Sequence, residues 1–407
     1  MAVVLRFSER FTSMYEGQTV GVVIPAYNEA GFVGEVIETL PAIVDRAYVV
    51  DDCSTDDTWS EIEAAAMRVT AAAEMSGTAE SSAAPESVGA AESADTADSA
   101  GPAESAGAAG TIETTAETGV SGQATVSTAE TATLHPDGGG LDGPPIVTVR
   151  HERNRGVGGA IKTGYRLASE DELDVVAVMN GDGQMDPTLL ERIVDPVVQG
   201  HAAYAKGNRL DNPDDRAGMP SWRLFGNGVL TYLTKLVSGY WGMSDPQNGY
   251  TAISREALDA IDVDRLYEGY GFCNDVLVHL NVHGFRVEDV PMPARYGDEQ
   301  SHIRYSRFVP SLSWLLLRRG LWRYRMQYAE AGPRRPYVLL LAGGLGGTVG
   351  LATLGLAALT VGIGSAQAAL SLLTALLGAL FVTLAVTLDR LHSRTVDTDR
   401  YEPVGGD

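Results

Sequence analysis

Apolar and polar positions along the chain fall into three regimes. Over residues 18–70, and again over 146–305, short apolar runs alternate with stretches of helical periodicity. Residues 20–25, 47–52, 146–150 and 175–179 read as buried strands, and 31–40, 57–69 and 158–168 as the helices between them. Strands alternating with helices predict an α/β fold with a doubly wound, mostly parallel mixed sheet. Such sheets bind ligands beyond the carboxyl ends of their strands, so the residues just after each strand become the candidates.

The second regime, residues 71–145, is built of Ala, Ser, Thr, Gly and Glu, with no aromatic residue, Lys or Arg. It has nothing with which to fill a core and is expected to be a disordered surface insert. In the third regime, residues 336–388, no position of 53 is charged. One helix needs about 20 residues to cross a bilayer. The run therefore predicts a two-helix transmembrane hairpin over 337–361 and 368–388, with a turn near 362–367. A soluble core helix would not stay uncharged on every face for so long. Gly343, Gly344, Gly346, Gly347 and Gly350 permit close helix contact, which also allows a homo-oligomer through the hairpin.

Before the hairpin, residues 306–335 carry a helical pattern of apolar, aromatic and arginine positions. This is either an amphipathic helix in the membrane interface or an ordinary packing helix, and the adjacent hairpin favours the former. Arg318, Arg319, Arg323, Arg325, Arg334 and Arg335 precede the hairpin, and Arg390 and Arg394 follow it. Positive charge at both ends places both on the cytoplasmic side. The opening residues 1–17 show no signal peptide. The expectation is a multi-pass protein of the cell membrane with a cytoplasmic catalytic domain at 18–70 and 146–305 and a cytoplasmic tail at 389–407.

Charge sharpens this division. The formal net charge is −23, and twelve of the acids lie in the insert between Glu74 and Asp142. Only Lys162, Lys206 and Lys235 are lysines among 30 basic residues. That balance argues against a nucleic-acid partner, which a broad basic face would grip. Acid-rich, lysine-poor surfaces suit a salt-loving cytoplasm such as that of a halophilic archaeon. Cys53 and Cys273 are too few for a disulfide scaffold or a four-thiolate zinc site.

Four strand-end loops carry candidate chemistry. The first runs Pro25-Ala26-Tyr27-Asn28-Glu29. Tyr27 could stack on a base and Glu29 accept from its edge or from a ribose; the alternative is a turn with a helix-cap acid. The second begins Asp51-Asp52, where a nucleotide would lie, with Ser54 or Thr55 capping the next helix. The third, residues 154–160, brings glycines to a helix N-terminus, a phosphate-binding arrangement that close helix packing would also produce. Gly158 and Lys162 are its candidates. The fourth, Asn180-Gly181-Asp182-Gly183-Gln184, is placed to hold a divalent cation through oxygen ligands.

In this order the loops resemble glycosyltransferase family 2 enzymes of the GT-A fold, and among them the dolichol-phosphate and polyprenyl-phosphate sugar transferases. The resemblance implies that Pro25, Ala26, Tyr27, Glu29 and the second-strand acids bind a UDP- or GDP-linked sugar donor. It implies Mg2+ or Mn2+ at Asp182 and Gln184; the family's first acid of that motif is Asn180 here, whose amide oxygen is a weaker ligand. It extends to Arg209, Arg223 and Arg295 as phosphate contacts, to the acceptor loop beginning at Asp245, and to Asp275. The position of the family's lysine near 302 is His302. The implied reaction is inverting transfer to a polyprenyl phosphate, an acceptor that needs positive charge rather than a base. Transfer to a glycan hydroxyl would instead need Asp245 or Asp275 as base. A catalytically silent membrane-bound scaffold is the reading outside enzymology.

Overall fold

The computed structural model describes residues 14–81, 131–134, 144–210, 221–293, 305–330, 335–360, 366–393 and 399–400. Strands β1 (Val20–Ala26), β2 (Arg46–Asp51), β3 (Thr131–Leu134), β4 (Ile146–Arg150), β5 (Val175–Val178), β6 (Tyr204–Asn208), β7 (Thr251–Ser254), β8 (Val287–Pro291) and β9 (Asp399–Arg400) form one sheet in the order 3-4-2-1-5-7-6-8-9. Strands β4, β2, β1 and β5 are parallel. Strand β7 is antiparallel to β5 and β6, and β8 is parallel to β6. The carboxyl ends of β1, β2, β4, β5 and β6 and the start of β7 therefore meet at one edge.

Every residue of β1 is buried, as a strand covered on both faces requires. Val20, Val22 and Ile24 pack with helices α1 (Val33–Glu38), α2 (Thr58–Ser81) and α4 (Leu190–Val198). Val23, Tyr48 and Val50 pack on the other face with α3 (Val157–Glu170), α6 (Arg255–Ala260) and α7 (Phe272–Val282). The expected strands and helices occur within a few residues of the expected limits, except at α2.

Two pieces of the insert are ordered, contrary to expectation. Helix α2 continues to Ser81, carried through an alanine-rich stretch that favours helix. Residues 131–134 pair antiparallel with β4, whose free edge is a template for a further strand. Residues 82–130 and 135–143 lie outside the described residues.

Helix α5 (Ser221–Ser238) and helix α8 (Tyr305–Tyr324) pack on α7 through Val237, Val278, Leu312, Leu315 and Leu316. On its other side α8 leaves Val309, Trp314, Leu317 and Leu321 exposed. One face of this helix therefore packs on the sheet domain and the other presents apolar side chains to the outside. A π-helical segment, Arg325–Glu330, follows. Helices α9 (Arg335–Thr360) and α10 (Ala366–His392) are long and apolar enough to cross a membrane. They touch through glycine: a Cβ on Gly343 would sit 2.7 Å from Gly378 O. That glycine face is filled by the chain's own second helix, so a homo-oligomer would need another face. Residues 361–365, the last of the first expected span and most of the expected turn, lie outside the described residues.

The hairpin is fastened to the sheet domain by a buried polar cluster. Arg323 of α8 and Asp389 of α10 are both 0% exposed and pair at 2.7 Å. Arg323 also donates to Asn281 Oδ1 of α7, and the Tyr328 hydroxyl donates to Asp389 Oδ1. A charge of either sign left alone here would be costly, so the pair holds the elements in one arrangement.

Candidate active site

The loop after β5 carries the candidate cation ligands. Gly183 takes φ +69, a conformation that suits glycine, and turns the loop back. Asp182 Oδ1 then accepts the Gln184 N–H at 3.0 Å, and the Asn180 side chain also bonds Asp182. Burial pushes the Asp182 carboxyl up despite these bonds and the nearby Arg209 charge. Asn180, Asp182 and Gln184 therefore share one loop, but the donor set is a single carboxylate with amide and carbonyl oxygens. No group of three or more His, Cys, Asp or Glu side chains that could hold a metal occurs among the described residues.

The segment before β7 closes against this loop. The Tyr250 hydroxyl donates to Asp186 O at 3.0 Å, and a Cβ on Gly249 would lie 3.6 Å from Asn180 Oδ1. Asp245, 3% exposed, receives Arg209 Nε at 2.9 Å, and Lys206 Nζ donates to its backbone oxygen. Burial opposes ionisation, but Arg209 and Lys206 outweigh it and hold the Asp245 carboxyl below the usual carboxylate range. Arg209, a phosphate contact by the family resemblance, is delivered to the site already paired with Asp245.

The first two loops lace together. Pro25 and Ala26 end β1 opposite Val50 and Asp51. Tyr27 is 44% exposed at the strand end, and Glu29 N–H donates to Thr58 Oγ1. Asn28 takes φ +56; its N–H donates to Ser54 Oγ and its Oδ1 accepts from Thr55 N–H. Ser54 and Thr55 therefore tie loop to loop rather than capping α2. The cap is Asp56, whose Oδ1 accepts the Thr58 N–H at 3.1 Å. Asp51 is fully buried, with Arg150 Nε 3.2 Å away.

Asp52 has a different task from the donor contact expected of it. Its carboxylate accepts Arg155 N–H at 2.8 Å and Gly156 N–H at 2.7 Å, and lies 2.7 Å from His151 Nδ1. It shapes the loop after β4. That loop is closed. A Cβ on Gly158 would meet Tyr267 O at 2.6 Å, and Gly159 N–H donates to Glu268 O. The glycines admit the 267–269 backbone, the packing alternative to a phosphate cradle. Lys162 is 3% exposed and donates to Asp264 O, Leu266 O and Glu268 Oε1. Its three protons clamp that segment, so none points to the strand-end cleft.

Asp275 faces away from Asp245. It accepts Tyr267 N–H at 2.8 Å and Arg319 Nη2 at 2.8 Å, and burial pushes its carboxyl up against those partners. The next residue back, Asn274, is the one that meets the loop before β7, accepting from Gln247 Nε2 at 3.1 Å. Arg223 lies on α5 with its side chain outside the described residues, as does all of Arg295 together with 296–302. The structure brings together Tyr27, Glu29, Asp51, Asn180, Asp182, Gln184, Arg209 and Asp245 at one sheet edge. It adds His151, Glu268 and Asn274 as positioning residues. His151 stands right after a strand and was findable by place; Glu268 carries no local signal.

Residues 21–73 and 124–262 match the family model described as Glycosyl transferase family 2. A UDP-N-acetylglucosamine–dolichyl-phosphate N-acetylglucosaminyltransferase of Methanococcus voltae is 30% identical over 38% of the chain and 61% of its own length. An undecaprenyl-phosphate mannosyltransferase of Micrococcus luteus is 32% identical over 36% of the chain and 60% of its own length. A polyprenol monophosphomannose synthase of Mycolicibacterium smegmatis is 30% identical over 39% and 62%. The chain spans about three fifths of the curated relatives it matches.

Proposed function

The chain belongs to glycosyl transferase family 2 and has the family's GT-A fold, and on that premise we propose that it transfers a sugar, with inversion, from a nucleotide-sugar donor to a polyprenyl phosphate. One observation carries the choice of acceptor. Both carboxylates that could serve a hydroxyl acceptor as base are held by arginines: Asp245 by Arg209, and Asp275 by Arg319 on the far side of α7. A phosphate acceptor arrives already anionic and needs no base. It needs guanidinium groups to hold it beside the donor diphosphate, and Arg209 stands where β6 delivers it. The relatives' names point to the same acceptor class.

Tyr27, Glu29 and Asp51 hold the nucleoside at the ends of β1 and β2. Asp182 and Gln184, with the Asn180 amide, fit a divalent cation shared with the donor diphosphate better than a cation held by protein alone. A divalent cation such as Mg2+ or Mn2+, held there by Asp182 and Gln184, would neutralise charge on the leaving diphosphate. Arg209, steadied by Asp245, supplies a second, fixed positive charge.

Helices α9 and α10 cross the bilayer as a hairpin, with α8 in the interface through Val309, Trp314, Leu317 and Leu321. Both hairpin ends lie on the catalytic side, since Asp389 bonds Arg323 and β9 pairs with β8. With arginines at both ends, that side is cytoplasmic. To test the reading, full-length protein in detergent is given radiolabelled UDP- and GDP-sugars, Mg2+ or Mn2+, and dolichyl phosphate. Acid-labile, lipid-extractable label is expected. Label that is acid-stable on a glycan establishes the hydroxyl acceptor instead, and no transfer or donor hydrolysis in any mixture leaves the silent scaffold.

A further inference from the structure

Outside the strand-end site, one cluster of side chains has chemistry without a task. Between α8 and the α6–α7 face lies a cleft of about 510 Å3 lined by Arg265, His279, His283, Arg318, Arg319 and Trp322, among others. A second hollow of about 520 Å3 shares Arg265, Arg318 and Arg319, so three guanidinium groups form the wall between the two.

Their states differ. Arg319 is occupied by Asp275, and Arg265 pairs with Asp262 at 2.9 Å on the surface. Arg318 is exposed and has no acid partner among the described residues. His279, 3% exposed, lies against the Trp322 ring at a centroid distance of 4.6 Å; its Nε2 makes no hydrogen bond, and Asp275 Oδ1, held by Arg319, lies 3.8 Å from it. Burial, then the Arg319 charge, pushes this imidazole down to about 3, so it is neutral at physiological pH. His283 turns Nδ1 to the His279 carbonyl, which leaves its Nε2 free of that bond. The cleft thus offers a guanidinium without an acid partner among the described residues and one buried ring nitrogen that makes no hydrogen bond, beside an indole. A buried polar nitrogen without a partner is unusual in a folded chain and marks a place where a ligand atom completes the set.

We propose that this cleft is a binding site for the phosphate headgroup of an anionic phospholipid of the surrounding bilayer. The proposal rests on the membrane reading of the hairpin. Arg318 sits in sequence between Leu317 and Leu321, on the exposed apolar stripe of α8 that begins at Val309 and Trp314. A lipid bound here lays its chains along that stripe while its phosphate meets Arg318, with Arg265 and His279 beside it. The site is separate from the reaction centre, because Asn274 of α7 faces the loop before β7 while Asp275 and His279 face Arg319 and Trp322. A headgroup here fixes how α8 sits against the bilayer, and so the height of the strand-end site above it.

Full-length protein in detergent, mixed with equal amounts of phosphatidylglycerol and phosphatidylcholine, is read by native mass spectrometry for retained lipid. Wild type should retain phosphatidylglycerol in preference. Arg318→Gln should lower that preference by about fivefold, and Arg318→Lys should keep most of it. Arg318 is at the surface, so neither variant threatens folding. Equal retention of the two lipids by wild type, or the same preference in Arg318→Gln, overturns the proposal. Displacement of the lipid by inorganic phosphate overturns the lipid assignment in favour of a free-anion site. Sugar transfer is measured on the same preparations. Lipid preference without transfer counts against the proposed function alone, and transfer without lipid preference against this site alone.

Discussion

Two loops of this protein look alike in sequence and do opposite things. Residues 154–160 and 180–184 each follow a parallel strand and each carry glycines. In the first, the glycines are filled from within: Gly158 admits Tyr267 O, and Lys162 clamps the same segment from below. In the second, Gly183 turns a loop whose nearest neighbour to an added Cβ is the Phe32 ring at 3.6 Å. The first loop is closed on a backbone about 110 residues away, whereas in the second only Gly181 packs tightly, on Ala26, and Gly183 is left at the surface. The lesson is that glycine at a strand end signals close approach, and only the partner distinguishes a ligand from a neighbouring backbone.

The largest effect that would sharpen this contrast is at Asp182. Asp182→Asn should lower transfer by roughly 10²–10³-fold, the scale of losing one electrostatic stabiliser, with the fold intact. The pH dependence has a definite sign. Folding raises this carboxyl above its ordinary 3.8, so its contribution to stability is greatest below 3.8 and declines as pH rises through the folded value. Asp182→Asn should remove that decline, read as melting temperature against pH. The contrast breaks if Asp182→Asn keeps full activity.

On the closed loop the expected losses are in stability. Lys162→Met leaves Glu268 and two carbonyls without their donor and should cost about 2–3 kcal/mol in urea unfolding. Gly158→Ala drives a Cβ into Tyr267 O and should cost about 1–3 kcal/mol. Donor KM should be unchanged in whatever folds. A raised donor KM at wild-type stability would return a phosphate role to Lys162.

A smaller effect is a gain. Asn180→Asp adds a second carboxylate beside Asp182, and the metal concentration for half-maximal transfer should fall about tenfold, since charge count tunes affinity for hard cations. No change in that titration would mean Asn180 does not face the cation. The smallest is Gly183→Ala, which puts a side chain at positive φ in ordinary contact with the Phe32 ring and should cost roughly 1–2 kcal/mol without a clash.

How far the site could be read in advance follows the same division. Tyr27, Glu29, Asp51, Asn180, Asp182 and Arg209 lie at or within a few residues of a strand end and Asp245 in the loop that leads into β7, and the topology of the sheet brings strand ends together whatever the details. Asp52, Lys162 and Asp275 also looked chemical, yet each is bound to a partner about 100 residues away or on another helix: Asp52 to Gly156, Lys162 to Glu268, Asp275 to Arg319. Local pattern holds no record of such partners. The insert shows the converse. Its composition argued against structure, but the end of α2 and the open edge of β4 recruited parts of it.

By itself, then, the chain's pattern settled the α/β sheet, its four central parallel strands, the two uncharged helices and the short list of strand-end residues. These follow from periodicity and burial, which are local. Only the tertiary structure decided which acids are free, which glycines face a cleft, and that Arg323 and Asp389 lock the hairpin to the catalytic domain. Pairing in space sets the charge and exposure of a side chain, and two residues 66 apart in the chain become partners only when the fold has placed them 2.7 Å apart.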